Sequence, residues 1–127
     1  MLHSVDFDEI AALQHAGEWD ATAQILTAAA RGLAAAGAEG LLLATNTMHK
    51  VADAIEEGSG LAVLHIADAT ADAIRSEGLS RVGLIATSFT MEDPFYVERL
   101  ARHGVEAIVP DAAGRAEVHR IIYDERA

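Results

Sequence analysis

The chain of 127 residues contains no cysteine. This excludes disulfide bonds and metal sites with cysteine ligands, and it gives no sign of an oxidising compartment. Basic residues are also scarce, because nine Lys and Arg stand against 20 Asp and Glu and leave a formal net charge of −11. Since nucleic-acid phosphates are bound by basic surfaces, the composition argues against a nucleic-acid partner.

Long apolar segments are missing as well. No apolar run approaches the ~20 residues that cross a bilayer as a helix, and residues 1–6 lack the basic and apolar regions of a signal peptide. We therefore expect no membrane partner and a cytoplasmic location. The length suits a single domain-sized core, which has to be built mainly from Ala, Leu, Ile and Val because only six residues are aromatic.

What the chain does contain is an alternation of short apolar runs and helical segments. The apolar runs show no polar alternation, as is typical of parallel strands buried on both faces, so the pattern predicts a parallel, three-layer α/β fold with flanking helices. Glycines that end predicted helices are Gly37, Gly58, Gly78 and Gly104. The predicted strands are 41–44, 61–66, 82–86 and 106–109, and the predicted helices are 7–15, 21–36, 47–57, 68–77, 91–103 and 113–124.

The order of these elements is unusual for a doubly wound sheet. Two helices precede the first strand, and the last helix runs close to the end of the sequence. We therefore expect a part of a larger α/β protein. In that interpretation residues 1–78 form an incomplete first α/β domain, and residues 79–127 begin a second one.

Segment 41–50 (LLLATNTMHK) joins an apolar strand to a helix through hydroxyl and amide side chains. In open α/β sheets ligands bind at the carboxyl ends of the strands, and the N–H groups at the start of the next helix suit an anion. Residues 42–46 (LLATN) also resemble 84–88 (LIATS). Two matched anion-binding turns at one cleft would explain this similarity, and so would chance in an Ala-rich chain.

Three segments, 4–7 (SVDF), 45–50 (TNTMHK) and 86–92 (ATSFTME), resemble the aspartate/glutamate racemase family, whose amino-acid racemases use no cofactor. Residues 64–68 (LHIAD) and 121–125 (IIYDE) add to the resemblance, which spans nearly the whole chain in family order. It implies an architecture of two similar α/β domains with the active site between them, an acidic amino acid as the substrate and no pyridoxal phosphate. The glycine-rich opening strand and the Gly-Cys-Thr segment of the family are absent.

The resemblance also implies roles for single residues. Thr45 takes the position of the family's first acid/base thiol, as in a branch that reads Thr-Asn-Thr-Met-His-Lys. Asn46, Thr47 and Thr87 would bind the α-carboxylate. A hydroxyl is a poorer base than a thiolate unless a neighbour activates it, so Thr45 could instead relay a proton through water.

For most of these residues a structural interpretation stays open beside the functional one. The hydroxyls of Thr45, Thr47 and Thr87 could cap helices. His49 could tune the site or be a partly exposed helix residue, and Lys50 could face the substrate's acidic side chain or solvent. His65, with Asp68, lacks the further ligands that a metal site needs, and packing at a sheet end suits it better.

The sequence as a whole favours a racemase of the aspartate/glutamate type that inverts Cα by two-base proton transfer. The alternative is a catalytically inactive remnant that binds small carboxylates or pairs with another subunit. Exposed strand edges in a partial domain would also favour a homo-oligomer.

Overall fold

The structure is a computed structural model that describes residues 1–124. It confirms an α/β fold with parallel strands and flanking helices. The chain forms two compact units, which divide between His65 and Ile66. The helix Ile66–Ser76 belongs to the second unit, whereas a division after residue 78 would place it in the first. Whether the two units correspond to parts of two family domains is a separate question, and the division 1–78 and 79–127 stays a prediction.

The first unit packs two long helices against a short strand pairing. Leu41 and Val63 form an isolated parallel bridge, so the predicted strands 41–44 and 61–66 are much shorter than expected. Buried apolar side chains from the helices and the bridge form one core, with Ile55 fully buried at its centre. The helices are α1 (Phe7–Ala16), α2 (Trp19–Ala35), a 3₁₀ helix (Thr47–Val51) and α3 (Ala52–Ser59).

The predicted helix end at Gly58 is wrong. Gly58 lies inside α3, and Gly60, at φ +74°, ends the helix. A Cβ atom at Gly58 would overlap Cγ2 of Thr27 on α2. The missing side chain therefore lets two helices approach closely, and it is not a stop signal. The other predicted helix ends, Gly37, Gly78 and Gly104, do have positive φ.

The second unit is built on two parallel strands, β1 (Arg81–Gly83) and β2 (Glu106–Ile108), with Val82 opposite Ala107. Its core joins Ala67, Ala71, Tyr96, Leu100 and Val105. The helices of this unit are α4 (Ile66–Ser76), α5 (Ser88–Glu92), α6 (Pro94–Arg102) and α7 (Ala112–Asp124).

The predicted helix 91–103 is wrong at its start. Asp93 has extended backbone angles, and its carboxylate accepts a hydrogen bond from the N–H of Phe95 at 3.2 Å. Because a residue before proline is disfavoured in the α region, Pro94 separates α5 from α6 and occupies the first turn of the second helix.

Apolar side chains just beyond the paired strand residues are exposed. Leu41 and Val63 are buried, whereas the next residues, Leu42 and Leu64, are 72% and 69% exposed. In the second unit Ile85 is 72% exposed in the same way. These residues lie just beyond the paired strand residues, and the expected three layers stay a prediction.

None of the helices in residues 1–124 combines the length and the apolar character that crossing a membrane requires.

Candidate active site

Segment 41–50 leaves the strand bridge at Leu41 and turns directly into the 3₁₀ helix. Thr45 is exposed on this turn, and Asn46 and Thr47 are half-buried. Asn46 holds the cap position of the 3₁₀ helix, where its backbone carbonyl accepts from the N–H of His49 at 3.1 Å. The predicted α-helix 47–57 therefore begins with a 3₁₀ helix of five residues and becomes regular at Ala52.

The side chain of Asn46 is the unusual feature of this turn. Its Oδ1 is buried, and it has no hydrogen-bond partner within the described residues. Buried polar atoms are almost always paired, because an unpaired one loses its water without compensation. Rotation of the amide exchanges its oxygen and nitrogen, so this position can offer either an acceptor or a donor to a ligand.

Beneath the turn lie two buried histidines. His49 is 3% exposed and His65 is 6% exposed, and their ring centroids are 4.5 Å apart. The Nδ1 atom of His49 also lies 3.3 Å from the backbone carbonyl of Asn46. His49 is therefore a buried support of the turn and not a partly exposed helix residue, and His65 packs at the strand end as one interpretation expected.

Lys50 lies over the ring of Trp19, with its Nζ 4.2 Å from the ring centroid. This cation–π contact joins the turn to the start of α2. Trp19 packs against the core of the first unit. A role for Lys50 towards a substrate stays a prediction.

The hydroxyl groups of the two strand ends do not act as helix caps. The helices after Asn46 and Thr87 have no side-chain cap hydrogen bond. Within the part of the chain that the structure describes, the side chains of Thr45, Thr47 and Thr87 make no hydrogen bond to another residue. The capping interpretation is therefore wrong for these threonines.

In the second unit, Thr87 follows the strand end and precedes α5. Its backbone carbonyl accepts from the N–H groups of Thr90 and Met91 at 3.0 and 3.1 Å. The next residue, Ser88, is bound by His119 of α7: Nδ1 of His119 lies 3.2 Å from the backbone nitrogen of Ser88 and 3.0 Å from its Oγ. The ring of His119 also packs at 4.6 Å from that of Tyr123.

The opposite end of α5 is bound by the same helix. Nε of Arg115 lies 3.3 Å from the carboxylate of Glu92, and Nη1 of Arg115 donates to the carbonyl of Pro110 at 2.8 Å. Sequence reasoning did not find Arg115 or His119. The available signal was their spacing, since Arg115, His119 and Tyr123 recur every four residues and so share one face of a helix.

Asp68 forms an ion pair with Arg99 in the second unit. Its two carboxylate oxygens accept from Nε and Nη2 of Arg99, both at 2.7 Å, and Nε2 of His103 lies 2.8 Å from Oδ1. The hydrogen bonds from Arg99 hold the pKa of this carboxyl well below its usual range, against the opposing effect of burial, and His103 adds to the lowering. No group of three or more His, Asp or Glu side chains in residues 1–124 is placed to hold a metal ion.

An open cavity of about 450 Å³ lies at the amino ends of β1 and β2, lined by Arg75, Ser80, Arg102 and His103 among others. Thr87 lies beyond the carboxyl end of β1, so this cavity and the predicted ligand-binding turn are at opposite ends of the strands. Arg75 and Arg102 belong to the last turns of α4 and α6, where a positive charge complements the helix dipole. The two arginines at this cavity are therefore explained by their positions at helix ends.

The model of the Asp/Glu/hydantoin racemase family matches residues 1–127. The chain belongs to the Asp/Glu/hydantoin racemase family. Its fold resembles that of a Yersinia pestis protein provisionally described as an Asp/Glu racemase, with 53% identity, a TM-score of 0.91 and coverage of 98% of this chain and 54% of that one.

A second crystal structure, of an aspartate racemase homologue from Pyrococcus horikoshii OT3, has 34% identity and a TM-score of 0.85. The similarity covers 98% of this chain and 54% of that one. The chain thus spans about half the length of both structures.

Proposed function

We propose that this chain belongs to a cytoplasmic amino-acid racemase of the aspartate/glutamate type, which inverts Cα by two-base proton transfer without pyridoxal phosphate. The observation that carries the proposal is the buried amide of Asn46, whose Oδ1 lacks a partner at the strand end. Membership of the racemase family supports it. A substrate carboxylate would supply the missing partner after the amide rotates to present its N–H₂ group.

In this proposal Asn46, Thr47 and Thr87 bind the α-carboxylate. Their side chains can donate to carboxylate oxygens, and none of the three is engaged in capping a helix. Removal of the α-proton moves negative charge onto the same oxygens, so these donors stabilise the transition state more than the ground state. His49, buried behind the turn, supports Asn46 through the contact to its carbonyl.

Thr45 takes one acid/base position. It is exposed and its hydroxyl makes no hydrogen bond to another described residue, so a water molecule can reach it and carry a proton to or from Cα. The chain has no cysteine, so the opposing base is not a thiol of these 127 residues.

Exchange of the α-proton tests the proposal. Aspartate or glutamate is incubated with the protein in deuterated water, and incorporation of deuterium at Cα is followed by NMR. We expect incorporation that is lost in Thr45→Val, which keeps the shape of the side chain, and kept in Thr45→Ser, which keeps the hydroxyl. If neither this chain nor a chain extended to the length of its structural relatives incorporates deuterium, the racemase proposal is wrong.

The alternative is a catalytically inactive protein that binds small carboxylates or pairs with another subunit. The unactivated hydroxyl of Thr45 and the absence of cysteine favour it. Aspartate would then raise the melting temperature, and Asn46→Leu would remove this effect, while no variant incorporated deuterium at Cα.

A further inference from the structure

The two contacts between α7 and α5 form an arrangement that family membership does not explain. His119 and Arg115 are four residues apart on α7, and their partners, Ser88 and Glu92, are four residues apart on α5. Residues at this spacing lie on the same face of a helix. The short helix is thus attached to α7 at both of its ends.

The contact at Ser88 gives a hydrogen-bond acceptor to a backbone N–H at the start of α5. The first N–H groups of a helix have no acceptor within the helix, and no side chain caps α5 locally. Nδ1 of His119, which is 31 residues away in sequence, accepts the N–H of Ser88. Because a backbone N–H can only donate, Nδ1 must be unprotonated, and the proton of the neutral ring is on Nε2.

We propose that His119 is a positioning residue that fixes the turn at Thr87, with the Arg115–Glu92 pair as a second attachment. This inference rests on the proposed function, in which Thr87 binds the substrate carboxylate. Thr87 is the residue directly before Ser88, and its carbonyl closes the first turn of α5. Fixing Ser88 therefore fixes the backbone on which the Thr87 hydroxyl is carried, and a binding group held in advance loses less entropy when the ligand arrives.

Two substitutions of His119 separate this role from simple packing. His119→Phe keeps an aromatic ring beside Tyr123 and removes the acceptor, whereas His119→Asn removes the ring and can place an amide oxygen close to the position of Nδ1. We expect the N–H of Ser88 to exchange with deuterium about tenfold faster in His119→Phe, as for the loss of one hydrogen bond. In His119→Asn the exchange should stay close to that of the unchanged protein. The opposite order would show that the ring only packs, and it would overturn the proposal.

The second attachment has a matched control on the same helix. Arg115→Gln should speed exchange at the N–H groups of Thr90 and Met91, which close on the Thr87 carbonyl. Glu117→Gln should not, since Glu117 pairs with Arg120 of its own helix. This comparison tests the second attachment even if both His119 variants fail to fold, and equal exchange in Arg115→Gln and Glu117→Gln would contradict the proposal.

Titration with aspartate then connects the turn to binding. We expect His119→Phe to raise the dissociation constant for aspartate about tenfold, with His119→Asn close to the unchanged protein. If the unchanged protein does not bind aspartate but the exchange results are as expected, the proposed function fails while the attachment of the turn stands. If aspartate binds and all variants bind it equally, the positioning role fails alone.

Discussion

The charge of Asp68 is fixed by its neighbours in the second unit. Arg99 binds both carboxylate oxygens and His103 contacts one of them, with about a third of the Asp68 side chain exposed. These contacts lower the pKa of the carboxyl in the folded protein. A carboxyl with a lowered pKa stabilises the fold at pH values above the pKa of the unfolded chain, and it loses this contribution as the pH falls towards the folded value.

We therefore predict that Asp68→Asn lowers the free energy of unfolding by about 1 kcal/mol near pH 7, the upper range for a partly exposed pair. The difference from the unchanged protein should shrink as the pH falls below about 4, where the unfolded carboxyl takes up a proton. Urea unfolding at a series of pH values measures it. Asp72→Asn on the same helix is the control, because Asp72 makes no hydrogen bond or ion pair within the described residues. A difference that is constant with pH would contradict the assignment.

The identity of the candidate residues could be predicted from the sequence, but their surroundings could not. Asn46 and Thr87 stand in short motifs that a linear pattern reveals. The contact of Ser88 with His119 joins residues 31 positions apart, and the burial of His49 depends on His65 beside it. Contacts of this kind are set by how the helices pack, which a local pattern does not contain.

At the scale of helices and strands, glycine has two different roles in this chain. Gly60 supplies a left-handed backbone at the end of α3, while Gly58 supplies only the absence of a side chain where α3 meets Thr27. The sequence Gly-Ser-Gly could not distinguish them, because the backbone angle and the packing decide which glycine ends the helix.

Substitution of two glycines that lie inside helices, Gly58 and Gly32, should have opposite effects on stability. Gly58→Ala should destabilise the protein by about 1–3 kcal/mol, the usual cost of overpacking, because its methyl group would overlap Cγ2 of Thr27. Gly32→Ala lies inside α2, and apart from the helix's own nearby backbone no described atom lies within 4 Å of the new methyl group. It should stabilise the protein by about 0.5–1 kcal/mol. Thermal and urea unfolding measure both.

A second substitution tests the cause of the Gly58 effect. Thr27→Ser removes Cγ2 and keeps the hydroxyl, so Gly58→Ala should cost less in a chain that also carries Thr27→Ser. If the cost is the same in both backgrounds, the contact with Thr27 is not its cause.

The existence of most helices could be predicted because apolar periodicity and glycine stops are local signals. The predicted helix and strand ends that were wrong depend on non-local pairing or on a competing local signal. Strand 41–44 is reduced to one bridge because only Leu41 finds a partner in Val63. The predicted helix 91–103 runs through Pro94, which instead begins a new helix.

At the scale of the whole molecule, the exposed apolar side chains just beyond the strands are the main departure from expectation. Unbroken apolar runs predicted strands buried on both sides, but Leu42, Leu64 and Ile85 are each more than two-thirds exposed. The sequence shows that these side chains are apolar, and it does not show what covers them. Exposed apolar surface of this kind favours association.

We predict that the protein self-associates in a concentration-dependent way. Leu42→Gln combined with Leu64→Gln should shift it towards the monomer in sedimentation velocity experiments. Leu79→Gln is the control, since Leu79 is 53% exposed but precedes β1. A protein that stays monomeric at all concentrations would contradict this prediction.

The central claim is that the turn at Asn46 and the turn at Thr87 bind a carboxylate. The most direct measurement is a titration of the labelled protein with aspartate, followed by NMR at the side-chain amide of Asn46 and the backbone amides of Thr47 and Thr87. We predict shifts at all three positions with one dissociation constant, raised about tenfold or more in Asn46→Leu. No shift at these positions, or equal binding by Asn46→Leu, would contradict the account.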